Sequence, residues 1–273
     1  MIPYQIQAGD CLDVMAGWPD GCIQLTMFSP PYPLKTQRYP GARTKMKWDE
    51  WAEWMAEVVA ECCRVTDGFV LCNAKNPVLR GEDLPATDWL RILAKRRGCK
   101  LERPIVWHKN SAPNTRPWWV NDWEHVFGFY SGARPRPATW NWEAVATAPK
   151  FNSGGKFSHR EANGDRKANG GKYPTAKLAR PRDVWRITVG GGHMGSNLAS
   201  LNEAPYPEKL VVPFVRALSN PGDIVLDPFC GSGTTLAVAL QEGRQFVGVD
   251  VRADQVALSE ARIFETVFRE VWQ

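Results

Sequence analysis

The sequence predicts an α/β fold in which a largely parallel sheet is covered by helices on both faces. The clearest observation is a regular alternation of strand and helix patterns near the C-terminus. A second is the short apolar run Ile23–Phe28, which ends before two prolines that cannot donate hydrogen bonds to a neighbouring strand. Alternation of this kind is typical of a parallel sheet between two helical layers, in which the buried strands are continuously apolar.

The individual elements follow from hydrophobic periodicity. Trp48, Trp51 and Met55 recur at three- and four-residue spacing and predict a helix whose tryptophans belong to the core. Gly98 stands where a helix end favours a left-handed residue. In chain order, the predicted strands are 4–8, 23–28, 68–72, 105–107, 126–130, 183–187, 223–227 and 245–250. The predicted helices are 11–16, 48–65, 88–97, 208–219, 234–242 and 254–268.

Composition narrows the class of protein. The chain has 273 residues, of which 44% are hydrophobic and 23% are charged, as in ordinary globular proteins. No apolar run approaches the roughly 18 residues of a membrane helix, and the N-terminus lacks the pattern of a signal peptide. The seven cysteines form no CxxC pair and the four histidines are scattered, so we expect no metal site. An odd number of cysteines without a secretion signal predicts reduced thiols in a cytoplasm.

Positive charge is concentrated in one loop-rich segment. Residues 131–186 carry twelve Lys or Arg against four acids, whereas the rest of the chain is net acidic. This favours a polyanionic partner, although a solvated loop would show the same excess. We therefore predict an insert over 131–182, within a domain made of residues 1–130 and 183–273. Its candidate contacts are Arg134, Arg136, Lys156, Arg160 and Lys172. A second basic stretch, interpreted as a mobile flap or an ordinary surface loop, contributes Lys35, Arg38, Arg43 and Lys45.

A glycine turn follows the predicted strand 223–227. Gly231 and Gly233 permit positive φ angles and a close approach of the backbone to a ligand, which in such sheets binds beyond the carboxyl ends of the strands. The next strand ends at Asp250, whose carboxylate could accept hydrogen bonds from both hydroxyls of a ribose. Together these features favour an adenosine ligand, and the absence of GxGxxG or GxxxxGK[ST] disfavours NAD or a nucleoside triphosphate. A plain helix-capping role for Asp250 is the alternative.

The tetrapeptide Ser29-Pro30-Pro31-Tyr32 follows a buried strand and offers a different chemistry. The Ser29 hydroxyl and the Pro30 carbonyl are two acceptors on a loop that prolines stiffen. Each could accept one N–H of an amino group conjugated to an aromatic ring, which frees the nitrogen lone pair for attack on a methyl donor. Tyr32 could stack on the same ring. The tetrapeptide is therefore the candidate catalytic motif.

These residues resemble a known family, the DNA amino-methyltransferases of the N-4/N-6 DNA methylase family. Ser29 to Tyr32 is similar to its [DNS]PP[YFW] motif, and DPFCGSGTT at 227–235 is similar to its cofactor motif. The catalytic motif comes first here, an order that resembles the β class. Four shorter segments also resemble the family: GDC at 9–11, WHKN at 107–110, DVW at 183–185 and APYPEKL at 204–210. Asn202 departs from the pattern, because the family often has histidine there.

The resemblance implies a Rossmann-like, S-adenosylmethionine-dependent methyltransferase sheet with a circularly permuted motif order and a target recognition insert at 131–182. It implies double-stranded DNA as partner, with the target base flipped out of the duplex. It also implies a bacterial or phage cytoplasm, association with the nucleoid through DNA, and, from family habit, a possible homodimer. The implied catalytic residues are Ser29, Pro30, Pro31 and Tyr32. The implied cofactor-binding residues are Asp10, Cys11, Asp227, Pro228, Phe229, Cys230, Gly231, Ser232, Gly233, Thr234 and Asp250.

Several alternatives stay open at this point. In the family, serine at the first motif position leans towards N4 of cytosine and aspartate towards N6 of adenine, yet Ser29 could accept from either amine. Cytosine is therefore only slightly favoured. Protein glutamine methyltransferases also carry a PPY motif, but their cofactor motif comes first. RNA as substrate and an inactive DNA-binding module are further alternatives. Methylation at C5 of cytosine is disfavoured because the chain has no Pro-Cys dipeptide.

Overall fold

The computed structural model describes residues 5–33, 46–109, 121–149, 158–168, 177–190 and 192–271. Its strands are β1 (Gln5–Ala8), β2 (Ile23–Phe28), β3 (Thr66–Ala74), β4 (Val78–Leu79), β5 (Glu82–Asp83), β6 (Cys99–Leu101), β7 (Ile105–His108), β8 (Trp123–Ser131), β9 (Ser158–Arg160), β10 (Arg166–Ala168), β11 (Val184–Arg186), β12 (Ile224–Asp227) and β13 (Gln245–Asp250). Its α-helices are α1 (Cys11–Ala16), α2 (Trp48–Val65), α3 (Ala86–Arg96), α4 (Glu208–Leu218), α5 (Thr234–Gln241) and α6 (Ala253–Val271).

Nine of these strands form one mixed sheet, whose order is β1-β13-β12-β2-β3-β8-β7-β11, with β6 paired to β8. The five strands from β1 to β3 in this order are mutually parallel. Strand β8 lies antiparallel between β3 and β7. The carboxyl ends of the five parallel strands therefore meet at one edge of the sheet, which we call the C-terminal edge.

Helices cover both faces of this sheet, as predicted. Helices α1, α2 and α3 pack on one face in a core that includes Trp51, Met55 and Leu90. Helices α4 and α5 pack on the other face through side chains such as Leu210 and Leu236, and α6 lies against α5 and β1. Strand β2 is almost wholly buried between the two layers, which explains its continuous apolar run.

Strand β8 is longer than the predicted 126–130 because tertiary pairing extends it at both ends. It begins at Trp123, and its first residues pair with β7. The apolar pattern in the sequence begins only at Val126 because a charged residue, Glu124, interrupts the run before it. That residue is nevertheless buried, with 7% of its surface exposed. Gly98 adopts the predicted left-handed conformation, with φ +90°, just after α3.

The predicted insert contacts the sheet domain at its start. Asn141 donates from its backbone to the Ala217 carbonyl and from its side chain to the Ser219 carbonyl at the end of α4. Further along, β9 and β10 form a short antiparallel hairpin. The division of the chain at 131 and 182 stays a prediction. Within the described ranges, no helix combines the length and apolar composition that a membrane span requires.

Candidate functional site

One cavity at the C-terminal edge brings together the two sequence motifs. Its volume is about 1060 Å³, and residues that follow β1, β2, β12 and β13 all contribute to it. Residues 29–32, here called the SPPY loop, form one wall, and residues 228–233, here called the glycine turn, contribute to another. The lining residues at these strand ends are Asp10, Cys11, Ser29, Pro30, Pro31, Tyr32, Pro228, Phe229, Cys230, Gly231, Ser232, Thr234 and Asp250. The cavity is large enough for a nucleoside-sized ligand.

The glycine turn requires glycine at two positions. Gly231 has φ +49° and Gly233 has φ +74°, both in the left-handed region. A Cβ atom on Gly231 would lie 2.5 Å from Asn202 Nδ2, and one on Gly233 would lie 3.2 Å from the Ser259 backbone. Gly233 is also the N-cap of α5, so the turn leads directly into the positive end of a helix. Gly233 itself does not line the cavity, and its role is to shape the turn.

Asp250 ties the glycine turn to the neighbouring strand. Its Oδ2 accepts from Gly231 N at 2.9 Å, and its Oδ1 accepts from Arg252 N at 2.9 Å. Burial raises the pKa of this carboxyl, and the two backbone donors oppose that rise. Each carboxylate oxygen has two lone pairs, so both retain capacity for a ligand hydroxyl. The position at the cavity wall therefore suits the ribose contact expected from the sequence.

Asp227 lies beneath the cavity and does not line it, unlike its neighbours in the motif. Only 1% of its surface is exposed, and three donors surround its carboxylate. Phe229 N donates to Oδ1 at 3.0 Å, while Thr235 Oγ1 and Tyr206 OH donate to Oδ2 at 2.7 and 3.0 Å. Burial raises its pKa to about 7, although these three donors lower it. In this structure, the expected cofactor residue Asp227 sets the shape of the turn from below.

A buried arginine supports the glycine turn from behind. Arg262 is fully buried and donates to Thr234 Oγ1 at 2.7 Å and to the Ser232 carbonyl at 3.3 Å. Its charge is balanced by Glu208 at the start of α4, at 2.7 Å. One guanidinium therefore joins α6, the start of α5 and the start of α4, which holds the turn against the rest of the domain.

The SPPY loop is anchored by residues that are distant in sequence. Trp51 of α2 is fully buried, and its indole Nε1 donates to the Pro31 carbonyl at 2.7 Å. Tyr32 is 7% exposed, and its hydroxyl donates to Glu124 Oε2 at 3.4 Å. The backbone of the loop and the far end of the tyrosine ring are thus held by different elements.

Asp10 and Cys11 complete the wall next to β1. Asp10 caps α1, because its Oδ1 accepts from Leu12 N at 2.9 Å. Cys11 is buried at the first position of that helix. Both residues line the cavity together with Trp54 of α2.

A segment at 202–206 closes the opposite side of the cavity. Asn202, where the resembled family often has histidine, donates to Gln255 Oε1 at 2.8 Å and accepts from Ala204 N at 3.0 Å. Glu203 pairs with Arg252 at 2.8 Å. These contacts join the segment to the start of α6, so the cavity is bounded on both sides by ordered backbone.

The predicted polyanion contacts are not all brought to this edge. Arg134 donates to the carbonyls of Arg64 and Thr66, at the beginning of β3 and therefore at the opposite edge of the sheet. Arg136 donates to Glu102 at 2.6 Å and lies over the ring of Phe69. Both arginines thus have internal partners, and we withdraw Arg134 as a contact at the cavity. Arg160 is exposed on β9. Lys35, Arg38, Arg43, Lys45, Lys156 and Lys172 lie outside the described residues.

Sequence reasoning missed several residues of the site. Trp51 was expected in the core, where it lies, but its bond to Pro31 has no signal in the sequence. Glu124 could have been noticed as an acid inside a strand-like run. Tyr206 belongs to the APYPEKL segment, although its hydroxyl contact with Asp227 could not be inferred.

Comparison with known proteins gives one consistent result. A family model described as "DNA methylase" matches residues 23–261. The chain is 27% identical to the DNA adenine methyltransferase YhdJ of Escherichia coli (strain K12), over 93% of this chain and 81% of the relative. It is 26% identical to the type II methyltransferase M.PvuII of Proteus hauseri, over 96% and 84%.

Solved structures agree on the fold. The PvuII DNA methyltransferase, described as cytosine-N4-specific, superposes with a TM-score of 0.69 at 20% identity, over 98% of this chain and 93% of that one. A DNA modification methylase of Thermus thermophilus, TTHA0409, in complex with S-adenosyl-L-methionine, superposes with a TM-score of 0.65 at 22% identity, over 97% and 94%. The Rossmann-like methyltransferase sheet expected from the sequence is confirmed.

Proposed function

We propose a detailed function for this chain from the premise that it belongs to the DNA methylase family, whose model matches residues 23–261. The chain is an S-adenosylmethionine-dependent DNA methyltransferase of the type that modifies N4 of cytosine or N6 of adenine. Our proposal concerns the roles of its residues and the base that it modifies. A single observation carries it: the SPPY loop and the glycine turn line the same cavity.

We assign the cofactor to the half of the cavity around the glycine turn. The left-handed glycines leave no Cβ between the backbone and a ligand, which fits a nucleoside held close to the turn. Asp250 would accept from the ribose hydroxyls, and Asp10 and Cys11 would border the adenine. When bound, S-adenosylmethionine supplies an electrophilic methyl group on a sulfonium.

We assign the target base to the SPPY loop. The amino group of a base is a poor nucleophile, because its lone pair is delocalised into the ring. The Ser29 hydroxyl and the Pro30 carbonyl would each accept one N–H, so the lone pair turns towards the methyl group. The nitrogen–carbon bond forms as the carbon–sulfur bond breaks, and the sulfur keeps that electron pair. One amine proton then leaves through an acceptor. Tyr32 would stack on the base, which must be flipped out of duplex DNA to reach this cavity.

We propose N4 of cytosine as the methylated atom, with N6 of adenine as the second candidate. Support for cytosine is the hydroxyl of Ser29 at the first motif position, where aspartate would favour adenine. Support for adenine is the 27% identity to a relative named as an adenine methyltransferase. The acceptors themselves suit either amine, so the choice needs a chemical measurement.

The experiment is methylation of unmodified bacterial genomic DNA, followed by digestion to nucleosides and mass detection. We expect N4-methylcytosine, dependent on added S-adenosylmethionine. Detection of N6-methyladenine alone would replace cytosine by adenine and leave the assigned residues standing. Absence of any methylated nucleoside, with several genomic DNAs as substrates, would reject the proposal. The basic insert at 131–182 remains our proposed recognition region, and a homodimer and a cytoplasmic location associated with the nucleoid remain predictions.

A further inference from the structure

A buried charged cluster lies beside the SPPY loop, outside the cavity described above. Its centre is Glu124 of β8, and its other members are Lys109, which follows β7, and Asn73 of β3. Glu124 and Asn73 are 7% and 2% exposed. A charge in such a position is costly to bury unless its partners are good, so the cluster calls for a reason.

The contacts of Glu124 divide between its two oxygens. Lys109 Nζ lies 2.5 Å from Oε1, and Lys75 Nζ lies 3.5 Å from the same atom. Asn73 Nδ2 donates to Oε2 at 2.8 Å, and the Tyr32 hydroxyl donates to Oε2 at 3.4 Å. The closer bonds to Lys109 and Asn73 fix the carboxylate, and the fixed carboxylate then meets the hydroxyl of Tyr32.

The cluster keeps this carboxylate charged. Burial alone would raise the pKa of Glu124, but the charge and hydrogen bond of Lys109, with smaller contributions from Lys75 and Asn73, bring it below its ordinary value. An ionised carboxylate has no proton to donate, so the Tyr32 hydroxyl must be the donor in their contact. The direction of this hydrogen bond is therefore defined at neutral pH.

Two anchors act on opposite ends of the same short segment. The bond from Trp51 holds the backbone at Pro31, and Glu124 holds the hydroxyl at the end of the next side chain. A tyrosine ring turns about two side-chain torsions, and fixing its far end removes most of that freedom. A ring held in one plane is a prearranged surface for stacking, so less order must be imposed when the base arrives.

We propose that Glu124 is a positioning residue, which acts through the hydroxyl of Tyr32 to hold the ring in the plane that stacks on the flipped base. Lys109 and Asn73 hold Glu124 in turn. This inference rests on the proposed function, because it needs Tyr32 to contact the target base. Glu124 itself touches neither base nor cofactor in this account.

The test is a double-variant cycle with Tyr32→Phe, Glu124→Gln and the two combined. Each protein is assayed for methyl transfer to genomic DNA with tritiated S-adenosylmethionine, for cofactor affinity by calorimetry, and for its thermal unfolding midpoint. We expect each single variant to lower kcat about tenfold, as is usual for loss of one hydrogen bond to a charged group. The combined variant should also lose about tenfold, because both changes remove the same contact. Cofactor affinity should stay within about twofold of the parent.

The matched control is Glu102→Gln, which makes the same exchange at an acid paired with Arg136 and distant from the SPPY loop. It should leave kcat unchanged. A loss of about a hundredfold in the combined variant would mean that the two residues act independently, and would overturn the inference. So would a lowered unfolding midpoint in Glu124→Gln without any change in kcat.

Tyr32→Phe keeps the test decisive if Glu124→Gln fails to fold. It removes only the hydroxyl and leaves Glu124 with Lys109 and Asn73, so the fold is preserved. Unchanged kcat in this variant overturns the positioning role. The parent protein separates the two levels of the account: if it does not methylate DNA, the proposed function fails, whereas an active parent with unaffected variants rejects only the inference.

Discussion

The glycine turn and the SPPY loop meet in one cavity, but they are stabilised in different ways. The turn is shaped mainly by its neighbours: Asp227 bonds to residues two and eight positions further along the chain. The loop is anchored by Trp51, 20 residues from Pro31, and by Glu124, 92 residues from Tyr32. The turn thus depends on local backbone conformation and the loop on tertiary contacts. Changes in the two regions should therefore have separable effects on cofactor binding and on methyl transfer.

Tyr32→Ala should have the largest effect on turnover. It removes the stacking surface, which is worth about 1–3 kcal/mol per base, together with its contact to Glu124. We expect kcat to fall at least about a hundredfold, while the dissociation constant of S-adenosylmethionine changes less than about twofold. Tritium transfer and calorimetry measure the two quantities. Tyr32→Phe is the control, because it keeps the ring and should lose much less. A parallel loss of cofactor affinity would contradict the separation.

Gly231→Ala should act in the opposite way. A Cβ at this position meets Asn202 and forces a left-handed conformation on an L-residue, at a cost of roughly 1–2 kcal/mol before any clash. We expect S-adenosylmethionine to bind roughly ten- to a hundredfold more weakly. Gly17→Ala is the matched control, since nothing lies within 4 Å of a Cβ there. Unchanged affinity in Gly231→Ala would show that the turn does not approach the cofactor closely.

Trp51→Phe sharpens the comparison on the loop side. It keeps a buried aromatic side chain but leaves the Pro31 carbonyl without its indole donor. Loss of such a partner costs about 1–3 kcal/mol, so we expect kcat to fall about tenfold with cofactor affinity preserved. Trp48→Phe makes the same exchange at the start of the same helix and should be near neutral. If both variants behave alike, the bond to Pro31 has no special role.

The regularity of the chain explains how much of this could be predicted from sequence. Strand β2, helix α2 and the elements from α4 to α6 have strong periodicity, and their predicted bounds agree with the structure within about three residues. The glycine turn was recognisable because left-handed backbone needs glycine at defined positions. Glu124 was missed because its burial depends on Lys109 and Asn73, which approach it only after the sheet has formed. No local pattern encodes such a contact.

A smaller effect concerns pH and the buried carboxyl below the turn. Burial raises the pKa of Asp227 from 3.8 to about 7, so between these values the folded protein binds a proton that the unfolded chain releases. This carboxyl therefore stabilises the fold most at low pH, and that contribution is lost as pH rises towards 7. In urea unfolding from about pH 5 to about pH 8, the parent should lose roughly 1.4 kcal/mol per pH unit relative to Asp227→Asn up to pH 7, and nothing more above it.

Asp254→Asn is the control for this measurement. Asp254 is exposed and its pKa is about 2, because Arg252 donates to it, so it stays ionised throughout the range. Its replacement should leave the pH dependence of unfolding as in the parent. If the curves of the parent and Asp227→Asn run parallel, Asp227 is not protonated in the folded protein near neutrality.

The smallest expected effect is on the salt dependence of DNA binding. Arg160 is exposed on β9, whereas Arg134 is bonded to backbone carbonyls at the opposite sheet edge. Arg160→Ala should reduce the slope of log affinity against log salt by about one, as for the loss of one phosphate contact. Arg134→Met should lower stability without changing the slope. Anisotropy of a labelled duplex at several salt concentrations measures this, and equal slopes for Arg160→Ala and the parent would remove that contact.

The central claim is that one cavity presents the cofactor to the SPPY loop. A crystal structure of the protein with S-adenosylhomocysteine tests it most directly. We predict that the product lies against the glycine turn, with its ribose hydroxyls at Asp250 and its sulfur facing Ser29 and Tyr32. A product bound elsewhere, or bound at the turn with its sulfur directed away from Ser29, would contradict the account.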